Sequence, residues 1–170
     1  KDIKMTQDKN VIAFNKKQDI NTEPLKVLIV NIGKHYFGGI INSIQDVIQR
    51  IPTTPIPHAP ENIVGLLNLR GHIVTEIDVA KTLGLQNASE KEEGYAVVTS
   101  ENGEMFSFVF EGIGDVIDIT ADQIEILPDT VNPDWQNYTK GVYRMDKKLV
   151  IILDFTALIH HLTPEKENIL

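Results

Sequence analysis

The sequence predicts an all-β fold with short helices, in which two related units form β-barrels or a β-sandwich. Two observations support this prediction: the chain repeats itself, and short apolar runs alternate with tight turns. Four pairs of such runs lie between residues 27 and 153, and this even spacing is typical of barrels and sandwiches.

The internal repeat is visible without any gap. Residues 65–83 align with residues 141–159 at one constant offset. Identical residues coincide at Gly65/Gly141, Val74/Val150 and Asp78/Asp154. A second alignment, at a slightly shorter constant offset, pairs residues 27–48 with residues 96–117. We therefore interpret most of the chain as two related units.

Each predicted hairpin consists of two apolar runs that flank residues suited to a tight turn. The paired runs are residues 27–32 with 36–41, 66–69 with 73–77, 95–99 with 105–110, and 142–145 with 149–153. The third hairpin has the most favourable turn, because Asn102 and Gly103 both tolerate a positive φ.

Each long repeat ends on an aspartate that is followed by a short helical pattern. Asp78 precedes residues 79–83, and Asp154 precedes residues 155–159. An aspartate in this position can cap a helix by accepting hydrogen bonds from its first free N–H groups. A catalytic role would require a partner group, and none recurs nearby, so we interpret both residues as helix caps.

The composition excludes several classes of function. The chain has no cysteine, which rules out disulfides and thiolate metal sites, and it has no apolar run long enough to cross a membrane. Its 16 basic and 24 acidic residues give a net charge of −8, which argues against binding to a nucleic-acid backbone. No secretory signal opens the sequence, so a cytoplasmic protein without direct membrane insertion is expected.

No catalytic or metal-binding set can be nominated. His160 and His161 are adjacent, so on a helix their side chains point about 100° apart and cannot jointly hold one metal ion. Trp135 lies in an irregular stretch and is interpreted as a plug over the second unit, with an exposed contact as the alternative.

The residues from Pro55 to Leu85 form a pattern that resembles the CheW family of chemotaxis coupling proteins. The pattern comprises Pro55-Ile-Pro-His-Ala-Pro60, Gly65-Leu-Leu-Asn-Leu-Arg-Gly71, Asp78, and Leu83-Gly-Leu85. The upstream segment from Ile32-Gly33 to Asp46-Val47 and the downstream residues 141–154 also fit. The resemblance covers residues 26–162.

This resemblance implies two five-stranded, SH3-like β-barrels with a hydrophobic groove between them. It implies a single domain over residues 25–162. Residues 1–24 are polar and show no sustained apolar period, so they are interpreted as a flexible N-terminal tail or a loosely docked segment, and residues 163–170 as a C-terminal tail. Within the domain, the two barrel subdomains are expected at about residues 25–85 and 94–155, separated by a polar loop at 86–94, and strand exchange between them is left open.

The resemblance also implies a non-catalytic adaptor that binds no cofactor and no metal. Its expected partners are the cytoplasmic tip of methyl-accepting chemotaxis receptors and the regulatory domain of a CheA-type histidine kinase. The chain is expected to be a monomer in isolation and to be recruited to membrane-associated receptor arrays. The kinase is expected on the surface of the second barrel, at residues that the sequence does not identify.

The receptor-binding elements of the family fall on Ile41, Ile44, Asp46, Val47 and Arg70. The three apolar residues are expected to face one side of a receptor helix, and the two charged residues to pair at the rim of the groove. Burial of Ile44 and Val47 in the core of the first barrel is an open alternative for these two residues, as is a merely solvated Arg70. Asp46 stands where the family more often has glutamate, so its reach to Arg70 is expected to be shorter.

A further departure is Thr75-Glu76, in a strand where the family usually has proline. Two near alternatives are the coupling domain of a CheV-type protein and a relative that serves a non-flagellar motility pathway. An oligonucleotide-binding β-barrel is the distant alternative. It would need aromatic residues interleaved with basic ones, and neither Phe106 nor Phe108 has a lysine or arginine beside it.

Overall fold

A computed structural model describes residues 23–85 and 93–162 of the chain. The predicted tails at 1–24 and 163–170 and the predicted loop at 86–94 lie outside the described residues, apart from residues 23–24 and 93–94.

Ten β-strands make up most of the described part of the chain. They are β1 (Pro24–Ile32), β2 (His35–Ile40), β3 (Asp46–Gln49), β4 (Ile63–Leu69), β5 (His72–Ile77), β6 (Tyr95–Glu101), β7 (Glu104–Phe110), β8 (Gly112–Thr120), β9 (Thr139–Met145) and β10 (Lys148–Leu153). Short α-helices follow at Val79–Thr82 and Phe155–Leu162, and 3-10 helices lie at Ile41–Ser43, Ala121–Gln123 and Pro133–Tyr138. The four predicted hairpins are confirmed as β1–β2, β4–β5, β6–β7 and β9–β10.

The strands form two five-stranded sheets, and each sheet combines strands from both repeats. Sheet 1 has the order β8-β1-β2-β10-β9, and sheet 2 has the order β3-β6-β7-β5-β4. Four pairings join the two repeats: β2 with β10 and β5 with β7 are parallel, whereas β1 with β8 and β3 with β6 are antiparallel. The last three strands of each repeat therefore complete the sheet that the first two strands of the other repeat begin.

Each sheet curls until its two edges meet at one bridge. Thr54, which follows β3, exchanges two backbone hydrogen bonds of 2.7 and 2.9 Å with Leu66 of β4. Glu125, which follows β8, does the same with Val142 of β9 at 2.8 and 2.9 Å. Since these strands are the edges of their sheets, the prediction of two SH3-like five-stranded barrels is confirmed, although a single bridge rather than a full ladder joins the edges.

The repeated glycines lie at these bridges. A Cβ atom on Gly65 would collide with the carbonyl oxygen of Thr54, and one on Gly141 would collide with that of Glu125. Both glycines are buried. The identity of Gly65 and Gly141 in the repeat therefore follows from the close approach of two backbones.

Alternate residues of the interior strand β1 face two different apolar clusters, as the pleat of a strand requires. Val27 and Ile29 belong to the cluster inside the barrel of sheet 1. Leu28, Val30 and Ile32 belong to a larger cluster, which takes side chains from both sheets and from both α-helices. This larger cluster joins the two barrels.

Trp135 belongs to the cluster that joins the barrels. Its ring is only 6% exposed and lies 6.0 Å from the ring of Phe37, centroid to centroid. Its indole N–H donates a hydrogen bond of 2.8 Å to the carbonyl oxygen of Leu83. The prediction that Trp135 is buried is confirmed, but the ring packs between the two barrels and against residues of the first repeat rather than over the second unit.

The two predicted helix caps are also confirmed. Asp78 Oδ1 accepts a hydrogen bond of 3.0 Å from the backbone N–H of Lys81. Asp154 Oδ1 accepts one of 3.1 Å from the backbone N–H of Ala157. Each carboxylate satisfies an N–H group that the first turn of a helix leaves free.

Candidate partner-binding surface

The segment between β2 and β3 carries two of the predicted receptor-binding residues, and two more, Asp46 and Val47, open β3. Ile41 begins a 3-10 helix that ends at Ser43, and Ile44 returns to an extended backbone. β3 then pairs antiparallel with β6, which places Asp46 opposite Val98. This segment crosses from sheet 1 to sheet 2, so it lies where the two barrels meet.

Arg70 lies at the tip of the β4–β5 hairpin. Its φ is 50° and that of Gly71 is 87°, so both central residues of the turn are left-handed, as in the tight turns that suit a twisted hairpin. The side chain of Asn68 holds this turn by accepting a hydrogen bond of 2.9 Å from the N–H of Gly71. The turn leaves the Arg70 side chain 77% exposed.

Asp46 and Arg70 form an ion pair, with 3.2 Å between Arg70 Nη1 and Asp46 Oδ2. The predicted pairing is confirmed, and the shorter aspartate side chain reaches its partner. The other carboxylate oxygen of Asp46 accepts a hydrogen bond of 2.8 Å from the N–H of Val47. An exposed ion pair contributes only about 0–1 kcal/mol to stability, so its main effect is to fix the position of the arginine.

The ion pair also connects the two edges of sheet 2, because Asp46 opens β3 and Arg70 ends the hairpin of β4. It lies at the same closure that the Thr54–Leu66 bridge makes. The guanidinium is therefore held at the open end of the barrel by one ion pair and one turn, with most of its surface free for a partner.

The three predicted apolar residues differ in burial. Ile41 and Ile44 are half-buried and pack against the cluster that joins the barrels. Val47 is 36% exposed. The structure thus brings Ile41, Ile44, Asp46, Val47 and Arg70 into one connected region, and none of the five is fully buried.

A small cavity of about 160 Å³ adjoins this region and was not predicted. Ser43, Lys140 and Ile159 line it together with Glu101, whose Oε1 lies 3.0 Å from Nε2 of His160. The sequence could not reveal this pair, because 59 residues separate its members. The sequence indicates only that His160 lies beside His161 on a helix, and the structure adds a carboxylate partner.

The burial of the phenylalanines of β7 bears on the oligonucleotide alternative. Phe106 is 7% exposed and Phe108 is fully buried, and both belong to the cluster that joins the barrels. Bases can stack only on exposed aromatic rings. These two rings therefore offer no platform for nucleic acid.

Within residues 23–85 and 93–162, no group of three or more histidine, aspartate or glutamate side chains is placed to hold a metal ion. No helix in the same ranges is long and apolar enough to cross a membrane.

Three comparisons agree on what the chain is similar to. The family model described as "CheW-like domain" matches residues 26–163. The "Chemotaxis protein CheW" of Thermotoga maritima is 27% identical over 138 residues, which cover 81% of this chain and 89% of that protein. A "Probable chemotaxis protein CheW" of Rhizobium etli is 23% identical over 141 residues, covering 83% of this chain and 91% of that protein.

The fold is similar to a solved structure as well. The crystal structure of the scaffolding protein TtCheW from Thermoanaerobacter tengcongensis matches with a TM-score of 0.69 and 25% sequence identity. The match covers 78% of this chain and 85% of that chain.

Proposed function

Because the chain belongs to the CheW-like domain family, we propose that it couples methyl-accepting chemotaxis receptors to a CheA-type histidine kinase. Proteins of this family are non-catalytic scaffold or adaptor proteins of chemotaxis. In this proposal residues 25–162 act as one domain, which is a monomer in the cytoplasm until it joins a receptor array.

The observation that carries the proposal is the Asp46–Arg70 ion pair beside partly exposed apolar side chains. Ile41 and Ile44 keep part of their surface outside the joining cluster, and Val47 is 36% exposed. A receptor helix would lay apolar side chains spaced three or four residues apart on this surface. Arg70 would then meet a polar or acidic group at the edge of the helix.

Co-sedimentation with receptor-containing membranes tests this receptor surface. We expect Arg70→Asp and Ile44→Asp to abolish co-sedimentation while circular dichroism shows a folded protein. Arg144→Asp is the matched control, because Arg144 is 66% exposed and is also ion-paired, to Glu125 at 2.8 Å, but it lies on β9 of sheet 1. Equal losses in Arg144→Asp and Arg70→Asp would contradict the proposed site.

The kinase contact, expected from the sequence on the second barrel, is proposed on the surface of residues 94–155. These residues contribute strands to both sheets, so the contact need not lie on one sheet alone. A calorimetric titration against the isolated regulatory domain of the kinase tests it. Micromolar or tighter binding that survives Arg70→Asp supports two separate partner surfaces, and the absence of binding by the folded protein would contradict the coupling role.

A further inference from the structure

A cleft of about 480 Å³ lies at one end of sheet 1, away from the five predicted receptor-binding residues. It is formed by the β1–β2 turn, the β9–β10 turn and the loop that leads into the 3-10 helix Pro133–Tyr138. Its lining residues are Lys34, His35, Tyr36, Thr130, Val131, Asn132, Trp135, Lys147, Lys148, Leu149 and Ile151. None of the predicted receptor-binding residues belongs to this set.

The charge of the cleft is opposite to that of the protein. The chain has a net charge of −8, yet none of the lining residues is acidic and three of them are lysines. The described lysines are Lys26, Lys34, Lys81, Lys140, Lys147 and Lys148. Half of the lysines in the described ranges are therefore concentrated in one cleft.

The three lysines of the cleft are not used in ion pairs within the described part of the chain. The ion pairs there involve Lys26, three arginines and one histidine. Lys148 instead donates a hydrogen bond of 3.1 Å to the hydroxyl of Tyr36 and lies 4.6 Å from the centroid of that ring. Three positive charges are thus available to an anion from outside.

The floor of the cleft is apolar and held in place. Trp135 and Ile151 are buried, and Val131 and Leu149 are half-buried. Trp135 is fixed by its hydrogen bond to Leu83 and by an edge-on contact with His35, whose ring centroid lies 5.6 Å away. Val131 and Leu149 pack against the cluster that contains Trp135 and Ile151, and they keep part of their own surface exposed, where an apolar side chain of a partner can contact them.

The lysine-bearing turns are fixed as well. Glu111 accepts a hydrogen bond of 2.8 Å from the N–H of Gly33, which precedes Lys34. On the other side, the parallel contact of β2 with β10 pairs Tyr36 with Val150, so the turns that carry the lysines lie side by side. Pre-positioned charges lose less entropy on binding, which favours recognition of a partner.

We propose that this cleft binds an acidic peptide segment of a partner protein. An apolar side chain of the segment lies on the exposed parts of Val131 and Leu149, above the buried Trp135 and Ile151, and carboxylates before and after it face Lys34, Lys147 and Lys148. A small anion alone would use the lysines but leave the floor uncovered, so the combination of an apolar floor with a cationic rim favours a peptide.

The test is a titration with a short synthetic peptide in which glutamates flank a central leucine. Trp135 is the only tryptophan of the chain, so its fluorescence reports directly on the floor of the cleft. Shifts in amide NMR signals should be concentrated at residues 33–36, 130–135 and 147–151. Replacing all glutamates of the peptide by glutamine, or its leucine by glycine, should each weaken binding.

Variants of the protein make the test specific. The triple variant Lys34→Gln/Lys147→Gln/Lys148→Gln should raise the dissociation constant about tenfold at low salt, where exposed charges are least screened. The control, Lys26→Gln/Lys81→Gln/Lys140→Gln, changes the net charge equally and should bind as the unchanged protein does. Because Lys148 contacts Tyr36, the double variant Lys34→Gln/Lys147→Gln serves if the triple variant melts early.

Four results would overturn the proposal. They are the absence of binding, equal binding of the glutamine peptide, equal losses in the cleft and control variants, and free glutarate or phosphate that binds as tightly as the peptide. The last result would assign the cleft to a small anion instead.

Discussion

Arg50 and Glu76 form an ion pair inside the barrel of sheet 2, with 3.3 Å between Arg50 Nη2 and Glu76 Oε2. The Glu76 side chain is fully buried and that of Arg50 is 8% exposed. The repeat offers an internal comparison: at the offsets of its two alignments, Arg50 corresponds to Ile119 and Glu76 to Ile152. Both isoleucines belong to the cluster inside the barrel of sheet 1. One barrel thus holds an ion pair where the other holds two apolar side chains.

This comparison predicts the effect of replacing the pair. Arg50→Ile/Glu76→Ile copies the other barrel, and removing both members of a buried ion pair together is often neutral or stabilising by about 1–4 kcal/mol. Either single change breaks the buried ion pair and should cost about 3–5 kcal/mol. Urea unfolding of the native protein, Arg50→Ile, Glu76→Ile and the double variant measures their free energies of unfolding. A double variant less stable than both single variants would contradict the internal comparison.

The same pair predicts a pH dependence. Burial raises the pKa of Glu76 above its ordinary value of 4.5, with a smaller contribution from Asp78, while Arg50 partly offsets the increase. The folded protein therefore binds a proton at Glu76 more tightly than the unfolded chain does. The stability that this gives is fully present below pH 4.5 and is lost as the pH rises through the pKa of the folded state.

The measurement compares the native protein with Arg50→Ile/Glu76→Ile, in which this titration is absent. From about pH 4 upwards, the free energy of unfolding of the native protein should fall relative to that of the double variant. The carboxylates that do not interact with Glu76 are common to both proteins and cancel in the difference. A difference that stays constant with pH, or that changes in favour of the native protein, would show that the pKa of Glu76 is not raised.

The burial of Glu76 could not be predicted from the sequence. The alternation of β5 places Ile73 and Glu76 on opposite faces, and a glutamate is usually exposed. In the structure Ile73 is 70% exposed and Glu76 is fully buried, which is the reverse of their ordinary preferences. Arg50, the ion-pair partner of Glu76, is 26 residues away in the chain, so no local sequence pattern predicts that Glu76 is buried.

The hairpins and the helix caps could be predicted because each depends on residues close together in the chain. The Asn102-Gly103 turn and the Asp78 cap are examples of such local signals. The exchange of strands between sheets could not be derived, since β2 and β10 pair although they lie near opposite ends of the domain sequence. The apolar pattern of a hairpin is the same whichever sheet it joins, so the sequence leaves strand exchange open.

A further prediction concerns the two glycines at the barrel closures. Gly65→Ala should destabilise the protein by about 1–3 kcal/mol, because the new methyl group meets the backbone of Thr54 rather than a side chain that can move. Gly141→Ala should cost more, since the same overlap with Glu125 is combined with a φ of 140°.

Gly114→Ala is the matched control for both changes. Gly114 lies on β8, and a Cβ there would meet Ile29 only at an ordinary contact distance of 3.4 Å. Its effect should stay within about 0.5 kcal/mol. Thermal melts with calorimetry measure all three variants. A Gly114→Ala variant as unstable as Gly65→Ala would mean that the closure is not what requires glycine.

The last prediction separates two roles of the Asp46–Arg70 pair in receptor binding. Suppose that Arg70 serves only to hold the β3 edge. The exchange Asp46→Arg/Arg70→Asp then forms an ion pair with the two charges swapped, and it should restore the co-sedimentation with receptors that Arg70→Asp loses. If the guanidinium itself contacts the receptor, the exchange leaves an aspartate at the exposed tip and binding stays lost. Because Arg70 is 77% exposed while Asp46 is 30% exposed, we expect the second outcome.

The stability of the exchanged protein should lie within about 1 kcal/mol of the original, as for other exposed ion pairs, so a melt confirms that the loss of binding is not a loss of fold. Full recovery of binding would reduce Arg70 to a structural residue and move the receptor contact to Ile44 and Val47.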